Sequence, residues 1–131
     1  MTAKISYQTL TCHRYVKHFF LLVLSVFLLG ACEKEPETGN LFISTEYQGA
    51  PEDNVECWLY ESFYKFTRYE FLQKELSDEY GEVYFDNLEP GWYFVEARKV
   101  KSSLFTIYAA DSVEVQAGRR TNKILVMFQL E

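Results

Sequence analysis

Residues 81–99 read GEVYFDNLEPGWYFVEARK. Val83 and Phe85 alternate with Glu82, Tyr84 and Asp86, and Tyr93, Val95 and Ala97 alternate with Trp92, Phe94 and Glu96. Period two over such short runs is the pattern of a strand with one buried face. Between the runs lies DNLEPG, where Pro90 pre-sets φ and Gly91 accepts a backbone closed to other residues. The stretch predicts two antiparallel strands with Val83, Phe85, Leu88, Tyr93, Val95 and Ala97 pointing inward. Burying each large apolar side chain contributes roughly 1.5–3 kcal/mol, so these residues should dominate stability.

The same alternation extends in both directions. LFISTEY (41–47) predicts a first strand, and QGAPEDN (48–54) is a cluster of turn residues. VECWLY (55–60) turns Val55, Cys57 and Leu59 to one face and Glu56, Trp58 and Tyr60 to the other. DSVEVQAG and NKILVMFQL predict a closing hairpin around residues 117–120. Strands recurring about every 10 to 15 residues favour an all-β sandwich. In ESFYKFTRYEFLQKELSD (61–78), Phe63, Phe66 and Glu70 have helical spacing, but so many aromatics suit strands better. A loop over 61–68 and a strand near 69–76 are predicted there.

Residues 81–97 resemble the pattern G-x-hydrophobic-x-F-x-x-L-x-P-G-x-Y-x-V-x-A of carboxypeptidase regulatory-like domains, collagen-adhesin B-type repeats and the wider transthyretin-like group. The matching positions are Gly81, Val83, Phe85, Leu88, Pro90, Gly91, Tyr93, Val95 and Ala97. SDEYG upstream resembles the preceding turn. GAPEDNVECWLY resembles an earlier strand of the family, with Asn54 departing from its usual small residue, and VEVQAGRRTNKILVMFQL resembles its closing hairpin. The resemblance covers most of residues 40–130 and implies a seven-stranded antiparallel prealbumin-like (Ig-like) sandwich. Some relatives crosslink a first-strand Lys to a last-strand Asn or Asp. Residues 41–47 hold no Lys and 124–130 no Asn or Asp, so no such bond is predicted.

Ahead of this domain stands FFLLVLSVFLLGA (19–31), thirteen uncharged residues with basic residues on its N-terminal side. At about 1.5 Å per residue it reaches about 20 Å, short of the ~30 Å hydrocarbon core. The flanks fit a cleaved signal peptide. Leu29-Gly30-Ala31-Cys32 resembles the lipobox of bacterial lipoproteins, which implies cleavage before Cys32, a diacylglycerol on its thiol, an acyl chain such as palmitate on the new terminus, and anchorage to the cell outer membrane. Two or more chains hold a protein stably where one does not. The predicted organisation is a signal peptide over 1–31, a lipidated Cys32 with an acidic tether over 32–39, and the domain over 40–131.

Three of the 13 basic residues and none of the 19 acidic ones precede Cys32, leaving ten against nineteen, a net charge of −9. Such a surface repels phosphate backbones, so nucleic acid is excluded as a partner. Both histidines, His13 and His18, also precede Cys32, as does Cys12. After cleavage no Ser-His-Asp, Cys-His or His-zinc chemistry is available. Cys57, on an inward face, acts as a small hydrophobe. The carboxylates Glu75, Asp78, Glu79, Glu82, Asp86 and Glu89 alternate with inward positions or sit in turns, without calcium-ligand spacing. No catalytic residue, metal or cofactor is predicted.

What remains is the outward aromatics. Trp58, Tyr60, Tyr84, Trp92 and Phe94 are the candidate binding residues, because flat aromatics stack on sugars or pack on proteins. The expectation is a non-catalytic, lipid-anchored interaction module for an envelope protein. The alternative is a carbohydrate-binding accessory. A cover folded from residues 61–72 would hide the aromatics.

Overall fold

The computed structural model describes residues 15–24, 34 and 37–130. Contacts divide the chain into two units, Met1–Glu35 and Pro36–Glu131. In the first, residues 15–24 form a helix (α1) whose large apolar side chains are exposed. Among the described residues no helix is long and apolar enough to cross a membrane. The lipobox and Cys32 lie outside the described residues.

The second unit holds eight strands: β1 (Gly39–Tyr47), β2 (Ala50–Pro51), β3 (Glu56–Tyr60), β4 (Gln73–Leu76), β5 (Glu82–Leu88), β6 (Gly91–Ser102), β7 (Phe105–Val115) and β8 (Arg120–Leu130). A short helix, α2 (Phe63–Thr67), precedes β4. The strands form one curled sheet in the order β2-β1-β8-β7-β6-β3-β4, with β5 also paired to β1. The fold is therefore predominantly β, as the alternation predicts.

Three features depart from the expectation. There are eight strands rather than seven, β2 being a two-residue rung against Glu46 and Tyr47. The sheet is mixed, because β1 and β8 run parallel from Asn40↔Arg120 to Tyr47↔Met127. The closing hairpin is splayed. β7 and β8 flank residues 116–119 but pair only at their far ends, from Thr106↔Leu130 to Tyr108↔Phe128. A common cause links the last two. The Asn40 amide donates to the Arg119 carbonyl at 3.0 Å, and the Gly118 amide to that of Thr38 at 2.9 Å. This docks the start of β1 on the turn, so β1 takes up the first half of β8. Gly39 permits the approach, since a Cβ there would stand 2.3 Å from the Gln116 carbonyl oxygen.

By changing partners along its length, β8 curls the sheet. The inner faces of both limbs then share one core. Val83, Phe85, Leu88, Tyr93, Val95 and Ala97 are buried in it with Val55, Cys57 and Leu59, as the alternation requires. Leu41, Ile43, Ile107, Ala109, Val113, Val115, Leu125 and Met127 complete it.

The signature residues have separate mechanical jobs. The Asp78 carboxylate accepts from the Tyr80 and Glu82 amides, both at 2.9 Å, and closes the SDEYG turn. Gly81 sits there at φ +76°, with its missing Cβ only 2.6 Å from the Thr45 carbonyl oxygen. The Tyr93 hydroxyl donates to the Glu89 carbonyl at 2.7 Å and fixes the turn between β5 and β6. At the opposite end of the sheet, buried Glu52 accepts from Lys99 at 2.5 Å and Lys101 at 2.8 Å. Lys99 also donates to Asp53 at 2.9 Å.

Candidate binding surface

The outer face of β3 and β6 is aromatic by alternation, and register sets Trp58 beside Glu96 and Tyr60 beside Phe94. Tyr60 is nevertheless only 2% exposed, because α2 lies over it. The Ser62 side chain accepts from the Lys65 amide at 3.2 Å and starts the helix. The helix ends in a Schellman motif: the Tyr69 amide donates to the Phe66 carbonyl and the Glu70 amide to that of Lys65, each at 3.0 Å. Phe66 stands edge-on to Tyr60 at 5.4 Å and tilted on Phe94 at 4.5 Å, with Phe63 5.4 Å from Phe94. Residues 63–67 are thus helix, not loop, and the helical spacing of Phe63 and Phe66 was the readable signal. The adjacent strand is the shorter Gln73–Leu76.

The five candidate aromatics therefore have different fates. Tyr60 and Phe94 lie under α2, and the Tyr60 hydroxyl bonds the Glu96 carboxylate at 3.0 Å. Burial, with that carboxylate second, pushes the phenol well above its ordinary range. Trp58 is half-buried beneath the Lys74 ammonium, 4.8 Å from its ring centre. Trp92 stays 64% exposed on β6. Tyr84 is exposed too, but on β5, opposite Phe42 of β1 and outside this cluster.

The cover itself supplies new surface that the strand alternation did not single out. Phe63, Tyr64, Tyr69, Phe71 and Leu72 are all exposed. Beside α2, Glu61, Lys65, Glu70, Phe71 and Leu72 line a cavity of about 150 Å³. Its charges are held in place: Glu70 accepts from Lys65 at 2.7 Å and Arg68 at 2.9 Å. Those two hydrogen bonds hold the Glu70 carboxyl below its usual value. Backbone fixes the floor, since the Leu72 amide donates to the Leu59 carbonyl at 2.7 Å.

Burial raises the Cys57 thiol to about 12, which leaves it an inert core group. Among the described residues no cluster of His, Cys, Asp and Glu could hold a metal ion. Cys32 lies outside those residues.

No family model matches the chain, and no curated protein does. Solved structures do. A candidate carbohydrate binding protein from Pseudomonas aeruginosa superposes with a TM-score of 0.52 at 15% identity, over 73% of this chain and 92% of its own. The Bacillus anthracis TIE protein gives 0.51 at 16% identity, over 70% of this chain but 16% of its own. At these identities what is shared is a β fold.

Proposed function

We propose that the chain is a bacterial lipoprotein whose prealbumin-like sandwich is a non-catalytic carbohydrate-binding module. Cys32 carries the lipid and holds the module at the outer membrane after a signal peptide over 1–31 is removed. The carrying observation is the exposed aromatic cover, in which Phe63 and Tyr64 stand on a capped helix packed on the sheet and Phe71 lies in the segment that follows it. Sugars stack on such rings, and a fixed support lowers the ordering cost of binding. The description of the Pseudomonas protein points the same way, at the level of a shared fold. Support for a non-catalytic role comes from the side chains at hand. Glu70 is clamped by two cations, Cys57 is inert, and both histidines precede the cleavage site. The exposed apolar run of α1 from Phe19 to Leu24 fits a signal segment, because such a surface requires burial elsewhere.

Two experiments test the proposal. Mass spectrometry of the mature chain should find Cys32 as an acylated N-terminus; an unmodified or differently placed terminus contradicts the anchor. A glycan array probed with the full chain should show selective binding, and an array without any bound glycan contradicts the ligand class.

A protein partner is the second reading, and a different surface favours it. Ile124, Val126 and Phe128 point outward from β8 and are exposed. A pull-down from intact envelopes should then recover a partner that is lost on Val126→Asp.

A further inference from the structure

The cavity beside α2 has a chemistry that narrows the ligand. We infer that it takes one neutral hexopyranose ring, the end or a branch of a hexose polysaccharide. The inference rests on the carbohydrate reading and deepens it.

Size is the first argument. A space of about 150 Å³ holds several waters and falls short of the roughly 300 Å³ or more of a drug-sized pocket. One sugar ring fills it, and the rest of the chain would remain outside. The wall is the second argument. Phe71 and Leu72 give it an apolar side, suited to the C–H face of a pyranose. Glu61, Lys65 and Glu70 give it a polar side, suited to the rim of hydroxyls. A sugar needs both, because every hydroxyl it buries must find a partner.

The hydrogen-bond capacity is present and unspent. A carboxylate has about four acceptor sites and an ammonium three donors. Glu70 uses two acceptor sites on Lys65 and Arg68, and Lys65 spends one donor on Glu70. Glu61 makes no ion pair among the described residues. Sugar hydroxyls can therefore donate to Glu61 and Glu70 while another accepts from Lys65. The orientation is set beforehand, since the Lys65–Glu70–Arg68 chain fixes Glu70 without a ligand.

Charge decides the subclass. The lining carries Glu61, Glu70 and Lys65, while Arg68 pairs with Glu70 from outside it. The lining itself is one charge negative and so opposes a uronate. The whole domain, at −9 after Cys32, repels polyanions. A neutral hexose meets no opposing term.

The test is calorimetric titration of the full chain in a detergent without a sugar headgroup. The probes are neutral gluco-, manno- and galacto-oligosaccharides, with an oligouronate for comparison. At least one neutral probe should bind, and the oligouronate should bind at least about tenfold more weakly. Phe71→Ala and Glu61→Gln should each weaken binding about tenfold, the scale of one lost stacking or charge-assisted contact. Both residues are outside the core, so the melting temperature reports that the variants are folded. Binding that survives both substitutions but is lost on Trp92→Ala overturns the cavity and keeps the carbohydrate reading. Tighter binding of the oligouronate overturns the neutral class. Binding of no probe, neutral or charged, overturns the inference and the carbohydrate reading together.

Discussion

Gly81 and Tyr69 both occupy left-handed backbone, with opposite fitness for it. Gly81, at φ +76°, also lets the Thr45 carbonyl approach. Gly81→Ala adds a Cβ against backbone and should cost about 3 kcal/mol, measured by urea denaturation. Tyr69 has φ +57° at the position after the helix cap where glycine is usual. Its side chain is 79% exposed and outside the core. Tyr69→Gly should therefore stabilise the domain by about 1 kcal/mol, seen as a raised denaturation midpoint. A lowered midpoint would mean that the phenol makes contacts worth more than the backbone strain. The Tyr93 hydroxyl is a third case. Tyr93→Phe removes one hydrogen bond to the Glu89 carbonyl and should cost about 1 kcal/mol.

At the scale of elements, α2 is the piece that decides which aromatics are available. Phe66→Ala removes its contacts with Tyr60 and Phe94 and should cost about 2 kcal/mol, less than a full core deletion because Phe66 is only half-buried. Limited proteolysis should then cut within 61–72 at protease concentrations where the native chain resists. The strands β1, β3, β5 and β6 were legible because alternation there decides a buried face, and nine inward positions read from it are in the core. α2 was harder to read, since five residues carry too little periodicity and its aromatics imitate a strand. Its readable signals are the Phe63 and Phe66 spacing and the Ser62 cap, whereas a tyrosine stands where glycine would mark the stop. The parallel β1/β8 pair was illegible for a different reason. It depends on the docking of Thr38 and Asn40 onto residues 118 and 119, a long-range backbone contact without a side-chain pattern. The cavity was missed with α2, because its wall is built from the segment 61–72.

At the scale of the whole domain, the Glu52 node sets a pH window. Burial alone would raise Glu52, but hydrogen bonds from Lys101 and Lys99 outweigh it and leave the carboxyl below its ordinary 4.5. Its contribution is full above 4.5 and is lost as pH falls through the lower folded value. Lys99 runs the other way. Burial alone would lower it, yet Glu52 and Asp53 hold it above 10.5, so its contribution is lost only as pH rises past that folded value. Melting temperature should form a plateau between these limits, and Glu52→Gln should flatten its acid limb. Glu52→Ala leaves two lysines facing a vacated acid and should cost about 2 kcal/mol near neutrality.

The domain is proposed to hold a sugar without altering it. Affinity electrophoresis of the full chain through gels containing neutral hexose polysaccharide, with mass spectrometry of the eluted carbohydrate, tests both halves at once. The expected result is retarded migration in at least one gel, less retardation for Phe71→Ala, and polysaccharide of unchanged length. Unretarded migration in every gel, or shortened polysaccharide, would contradict the account.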